Sequence, residues 1–96
     1  LVDDLIDTAG TMSEAAHALQ RLGARRVYGC ATHAVLSGPA VDRLSASPME
    51  EVAVTNTICI PEARRFDRLK ILSVGELLAK AIHFTHSAQS VSSLFD

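Results

Sequence analysis

The apolar positions change period along this chain. Met12, Ala15, Ala16, Leu19 and Leu22 recur at helical spacing and Gly23 stands where a helix would stop, which predicts a helix over residues 12–22. RVYGCA (26–31) is a short apolar run, partly β-branched and aromatic, that gives way to Thr32 and His33; it reads as a buried strand. EVAVT (51–55) and KILSV (70–74) predict two more strands of the same kind. Leu1 and Val2 read as the last residues of a further buried strand, which implies that the chain starts inside a longer protein.

The intervening segments read as helices and loops. Ser37, Gly38 and Pro39 open a short helix with Pro39 at its first position and Val41 and Leu44 facing inward, ending near residues 45–48. Leu77, Leu78, Ala81, Ile82 and Thr85 define a last helix over 75–86. Thr11 with Glu14, and Ser73 with Glu76, have the spacing of capping boxes at the starts of the first and last helices. PEARRFDR (61–68) reads as a solvated loop, with Arg64, Arg65 and Arg68 free or at an interface.

Four apolar strands alternating with three helices specify an α/β fold: a parallel sheet, right-handed crossovers and helices covering the sheet faces in a three-layer, Rossmann-like arrangement. Ligands of such sheets bind at the carboxyl ends of the strands. The polar ends Asp3-Asp4, Thr32-His33 and Thr55-Asn56-Thr57 are therefore expected along one edge.

Composition narrows the partners. Ninety-six residues at 48 % hydrophobic content make one domain or part of one. A net charge of −2 with both signs mixed provides neither a basic face for nucleic acid nor a polybasic membrane anchor, and no apolar run approaches a bilayer span, so a soluble intracellular protein is expected. Cys30 and Cys59 lie in apolar surroundings without metal-ligand spacing and are expected to be buried thiols.

The candidate chemistry is concentrated in VDDLIDTAGT (2–11), where three carboxylates precede a Thr- and Gly-containing turn at a helix start. A helix start offers unpaired N–H groups and partial positive charge, a seat for phosphate. Gly10 would let the backbone approach an anion, and the hydroxyls of Thr8 and Thr11 would add donors. Asp3 and Asp4 could accept hydrogen bonds from vicinal hydroxyls or hold a hard cation. A sugar phosphate would satisfy both halves of the segment. On the residues alone the alternative stays open: Asp7 caps the turn, and Asp3 and Asp4 are solvated strand-end residues.

VDDLIDTAGT resembles the phosphoribosyl-pyrophosphate motif shared by type I phosphoribosyltransferases and phosphoribosyl-pyrophosphate synthetases. RVYGCATHAVLSGPAVDRL, EVAVTNTI and the closing SVSSLF (90–95) resemble the synthetases in particular, in order and across almost the whole chain. Ala34 and Ala9 depart from the commoner residues at those positions without removing a charge or hydroxyl. The resemblance implies the C-terminal part of a ribose-phosphate pyrophosphokinase, a partial phosphoribosyltransferase-like domain, with the upstream strands and an N-terminal domain outside these residues.

It further implies the reaction: Mg2+-dependent transfer of the β,γ-pyrophosphoryl group of ATP to ribose 5-phosphate, yielding phosphoribosyl pyrophosphate and AMP. By matching position, Asp3 and Asp4 would meet the ribose hydroxyls and, through the substrate, Mg2+. Asp7, Thr8, Ala9, Gly10 and Thr11 would enclose the 5-phosphate. ATP would bind mostly upstream, so no catalytic residue is assigned here and the chain alone is expected to be inactive. Ser90, Val91, Ser92 and Phe95 match a tail that, in regulated relatives, helps to form a phosphate and ADP site between subunits of a hexamer. A cytoplasmic or organellar location is implied, with no nucleic acid or membrane partner.

Rival readings are distinguishable. A receiver domain needs a phospho-accepting Asp at a later strand end, which Cys30-Ala31-Thr32 and Val54-Thr55 do not offer. A phosphoribosyltransferase proper would not account for SVSSLF or TNTI. A non-catalytic regulatory subunit of the synthetase usually has an altered sugar-phosphate loop. His33 is expected to be a hydrogen-bonded structural group before a substrate contact, and His17, His83 and His86 carry no assigned chemistry.

Overall fold

The computed structural model describes residues 1–95. Its four strands are β1 (Val2–Ile6), β2 (Val27–Ala34), β3 (Met49–Thr55) and β4 (Leu69–Leu72), and its α-helices are α1 (Gly10–Arg21), α2 (Ala40–Ala46) and α3 (Gly75–His86). Short 3-10 turns lie at Glu62–Arg64 and Val91–Phe95. The strands form one sheet in the order β1-β2-β3-β4, and every pairing is parallel. This is the α/β parallel architecture expected from the alternation of strands and helices.

Sequential strand order with crossovers of one hand sends α1 and α2 to the same side of the sheet. The burial of β2 records it: Val27, Gly29 and Ala31 are buried, whereas Tyr28, Cys30 and Thr32, on the other face, are exposed. The core lies between α1, α2 and the covered face, where Met12, Ala16, Ala40, Leu44, Met49, Val52 and Val54 interlock. Gly29 is the closest approach in it. A Cβ there would stand 2.8 Å from Met49 Sδ and 3.1 Å from Met12 Sδ, so the methionines occupy the space that a side chain would take.

The opposite face of the sheet, which carries Tyr28, Cys30 and Thr32, is exposed. Cys30 consequently is exposed, and so is Cys59 in the loop after β3; neither is the buried thiol expected from its apolar neighbours. Alternation decides the first of these, because an apolar strand residue is buried only if its face is covered. The helix α3 buries no residue, with Leu78 54 % and Ile82 70 % exposed, and the closing 3-10 turn folds against it. On its outer surface Lys80 bonds Glu76 one turn away at 2.9 Å, and that hydrogen bond, with the lysine charge, holds the Glu76 carboxyl below the usual glutamate range. The projecting α3 gives a radius of gyration of 15.9 Å, against about 13 Å for a compact chain of this length.

Several local expectations shift. The acidic pair lies inside β1 and not in a loop beyond it, because the ladder continues from Val2↔Cys30 and Asp3↔Ala31 to Ile6↔Ala34. Likewise β2 runs through Thr32 and His33. Leu22 is 84 % exposed at the end of α1, outside the buried stripe. Neither reciprocal capping box forms: α1 starts at Gly10 after Ala9 in the left-handed region (φ 64), which places Thr11 within the helix, and at α3 the Ser73 hydroxyl accepts from Gly75 N at 3.1 Å while Glu76 turns to Lys80. Asn56 also supports the entry to α3, its Oδ1 accepting from Val74 N at 2.9 Å.

The segment 61–68 is not a free solvated loop. Arg64 donates to Leu36 O at 2.6 Å and Gly38 O at 3.1 Å, Arg65 Nε donates to Ile60 O at 3.3 Å, and Arg68 donates to Ser47 O at 3.1 Å and Met49 O at 2.5 Å. Guanidinium groups carry several fixed donors, and here they meet backbone carbonyls of loops and of element ends. Sequence composition marks such residues as charged; only the fold reveals the carbonyls that they meet.

Candidate functional site

Parallel pairing brings the carboxyl ends of the strands to one side, and the turn from β1 into α1 stands there. Asp3, Leu5, Ile6, Asp7, Thr8, Ala9, Gly10, Thr11 and Met12 line a small, open cleft of about 180 Å3. The run singled out in the sequence therefore folds into a single concavity.

The base of the cleft is the start of α1. Ala9 precedes it with φ 64 and ψ 13, and its carbonyl accepts the first helical bond from Ser13 N at 3.0 Å. No side chain of the N-cap residue caps the helix. The opening amides of α1, which cannot be paired within a helix, are thus left for an external acceptor. Thr8 and Thr11 are exposed beside them, so their hydroxyls can add to the same donor set.

The neighbouring loop, from β2 to α2, holds this turn in place. Val35 N and Leu36 N both donate to Ile6 O, at 2.9 and 3.1 Å, and Ser37 N donates to Asp7 O at 2.9 Å. The Ser37 hydroxyl also donates to the Asp7 carboxylate. Asp7 thereby acts as a joint between two loops, a function that its acidic neighbours in the sequence obscured. From α2, Arg43 Nη1 donates to Thr8 O at 3.2 Å. Neither Ser37 nor Arg43 was assigned to the site from sequence, since only tertiary packing carries them to a turn about 30 residues away. The Ser-Gly-Pro-Ala run was a signal for Ser37; nothing in the sequence pattern pointed to Arg43.

The acidic pair is divided. Successive strand residues point to opposite faces, and Asp3 lines the cleft while Asp4 lies outside its lining. Asp3 Oδ1 accepts from Asp4 N at 2.8 Å. Both carboxylates are exposed.

Farther along the same edge, His33 Nδ1 pairs with Thr57 Oγ1 at 2.7 Å, and Thr55 Oγ1 donates to Thr32 O at 2.6 Å. The histidine is thus hydrogen-bonded into the link between β2 and β3. The tail residues are well apart in sequence from this edge and form their own unit. Ser90 Oγ and Ser92 Oγ lie 2.7 Å apart, Ser93 Oγ donates to Ser90 O at 2.9 Å, Val91 packs beside Leu78 and Ile82, and Phe95 is exposed. Among the described residues, no three His, Cys, Asp or Glu side chains are grouped to hold a metal by themselves.

The comparisons with known proteins agree with one another. Residues 1–96 match the family described as phosphoribosyl synthetase-associated domain. The chain is 59 % identical over 95 residues to ribose-phosphate pyrophosphokinase of Gloeobacter violaceus, covering 99 % of this chain and 29 % of that protein. It is 57 % identical over 95 residues to the protein of the same name from Bacillus subtilis, covering 99 % and 30 %. Its structure matches the crystal structure of phosphoribosylpyrophosphate synthetase from Mycobacterium smegmatis with a TM-score of 0.90 at 45 % identity, over 92 % of this chain and 30 % of that one. The chain thus spans about 30 % of the length of these relatives. With the family match running its full length and the structural match at a TM-score of 0.90, the chain belongs to the family of the phosphoribosyl synthetase-associated domain.

Proposed function

We propose that this chain is the ribose 5-phosphate-binding part of a ribose-phosphate diphosphokinase, an enzyme that moves the β,γ-pyrophosphoryl group of ATP to the anomeric hydroxyl and leaves phosphoribosyl pyrophosphate and AMP. The observation that carries the reading is the cleft in which Asp3 and the uncapped start of α1 face the same space. The amides from Ala9 onward, with Thr8 and Thr11, take the 5-phosphate. Asp3 accepts from the ribose hydroxyls, while Asp4 leaves the strand on its other face, outside the cleft. In transfers of this class the protein chiefly positions groups and neutralises charge, and the fixed turn supplies positioning.

Mg2+ fits the donor set. It is commonly held by one or two carboxylates together with substrate oxygens and water, and Asp3, exposed at the cleft, would be the carboxylate that shares it with the substrate, whereas Asp4 leaves the strand on the other face. When bound, it would offset the charge of the transferred pyrophosphoryl group. The same reading places the protein in the cytoplasm, or in an organelle, as a homo-oligomer of hexameric type. It gives Ser90, Val91, Ser92 and Phe95 a part in a phosphate and ADP regulatory site; the adjacent Ser90 and Ser92 hydroxyls support that part.

Calorimetric titration with ribose 5-phosphate in the presence of Mg2+ tests the sugar assignment. The protein should bind, and Asp3→Asn combined with Asp4→Asn should weaken binding about ten-fold or more, since each lost hydrogen bond to a charged group is worth about 1.5 kcal/mol or more. An unchanged affinity in the double variant would remove the sugar contacts. No binding by the unaltered protein would remove the whole reading.

A further inference from the structure

One side chain reaches the cleft's backbone from behind. Arg43 Nη1 donates to Thr8 O at 3.2 Å, and a Cβ built on Gly10 would stand 3.2 Å from the same nitrogen. Gly10 is not in the left-handed region, so its backbone conformation does not demand glycine. What the missing side chain accommodates is the guanidinium. Arg43 itself is not among the residues that line the cleft; it stands on the α2 side of the turn.

A trans peptide holds its C=O and N–H on opposite sides of the chain. With the Thr8 carbonyl drawn toward Arg43, the N–H of Ala9 is turned the other way, toward the cleft. Ser37 secures the preceding residue by accepting no bond of its own there, donating instead through both N and Oγ to Asp7. Two struts, Ser37 from the β2–α2 connection and Arg43 from α2, therefore set the peptide planes at the start of the turn. The arginine adds a positive charge close behind the amides, and the attraction of such a charge for a dianion acts through space without contact.

We propose that Arg43 is a positioning residue for the sugar-phosphate turn, aiming the Ala9 amide at the phosphate, and that Gly10 is held small by the guanidinium behind it. This rests on the reading of the cleft as a ribose 5-phosphate site. It adds a specific claim: the anion's affinity depends on a side chain that never touches it.

Titration of ribose 5-phosphate into the intact protein, with thermal midpoints recorded for every variant, tests the claim. Arg43→Met should bind about ten-fold more weakly, the effect of losing one charged hydrogen bond behind the site. Arg43→Lys, which retains the charge and a donor, should recover part of the loss. Gly10→Ala should displace the guanidinium and weaken binding similarly, and the double variant should bind no worse than the weaker single one, because both changes break the same contact. A merely structural role would lower the thermal midpoint and give additive losses. Equal affinity in Arg43→Met, or additive losses in the double variant, would overturn the proposal. If Arg43→Met does not fold, Gly10→Ala decides, and unchanged affinity there would overturn it. Failure of the unaltered protein to bind would instead defeat the cleft assignment itself.

Discussion

Replacing Arg68 by Met should unseat the carboxyl end of α2. The guanidinium donates to Ser47 O at 3.1 Å and Met49 O at 2.5 Å, reaches Leu44 O at 3.4 Å, and bonds Ser45 O as well. These carbonyls close α2 and open β3, where Leu44 and Met49 are 1 % and 0 % exposed. Hydrogen bonds from a charged donor contribute about 1.5–3 kcal/mol each. The 3.4 Å contact is too long to count fully, and water can reach the Ser45 end. Counting the two bonds nearest the core at the lower value gives about 3 kcal/mol, a sizeable share of the about 5–15 kcal/mol that holds a domain folded. Met keeps most of the apolar stem, so the loss isolates the donors. Urea unfolding followed by circular dichroism should show an unchanged slope and a midpoint lowered by about 1.5 M, taking a slope of about 2 kcal/mol per M. Arg68→Lys should retain less than half of the difference, since an ammonium cannot span four carbonyls with a planar fork. A midpoint within about 0.3 M of the unaltered protein would show that these carbonyls are as well served by water, and the account of the segment as a clamp would fail.

Other consequences follow from the core and the tail. Gly29→Ala should destabilise the protein by about 1 kcal/mol, as overpacking against Met12 and Met49 outweighs the smaller chain entropy of alanine; a rise in the urea midpoint would contradict the packing described. In the intact protein, Ser90→Ala with Ser92→Ala should blunt phosphate activation or ADP inhibition, read from initial rates at varied effector. Unchanged responses to both would remove the regulatory assignment.

Much of the fold is legible along the chain because period and partner coincide. The α3 range over 75–86 follows from apolar spacing together with the Ser73 and Glu76 start signal, and the parallel sheet follows from strands that alternate with helices. The cleft was legible for a related reason: its lining is a contiguous run, residues 5–12 with Asp3, so local order sufficed. Capping was misjudged where spacing alone was used. Whether Thr11 can cap depends on where the chain enters the helix, and Ala9 at φ 64 moves that entry two residues earlier. The thiol of Cys30 was misplaced for want of one fact, which face of β2 the helices cover.

The sequence by itself determined the succession of elements and the acidic, Thr- and Gly-containing turn, since hydrophobic period and turn chemistry act over a few residues. Tertiary structure alone decided that Asp3 enters the cleft while Asp4 does not, that Asp7 is tied to Ser37, and that Arg43 stands behind Gly10. Each of these depends on the path of the crossovers and the phase of a strand, and residues 30 and more apart meet only when those are set.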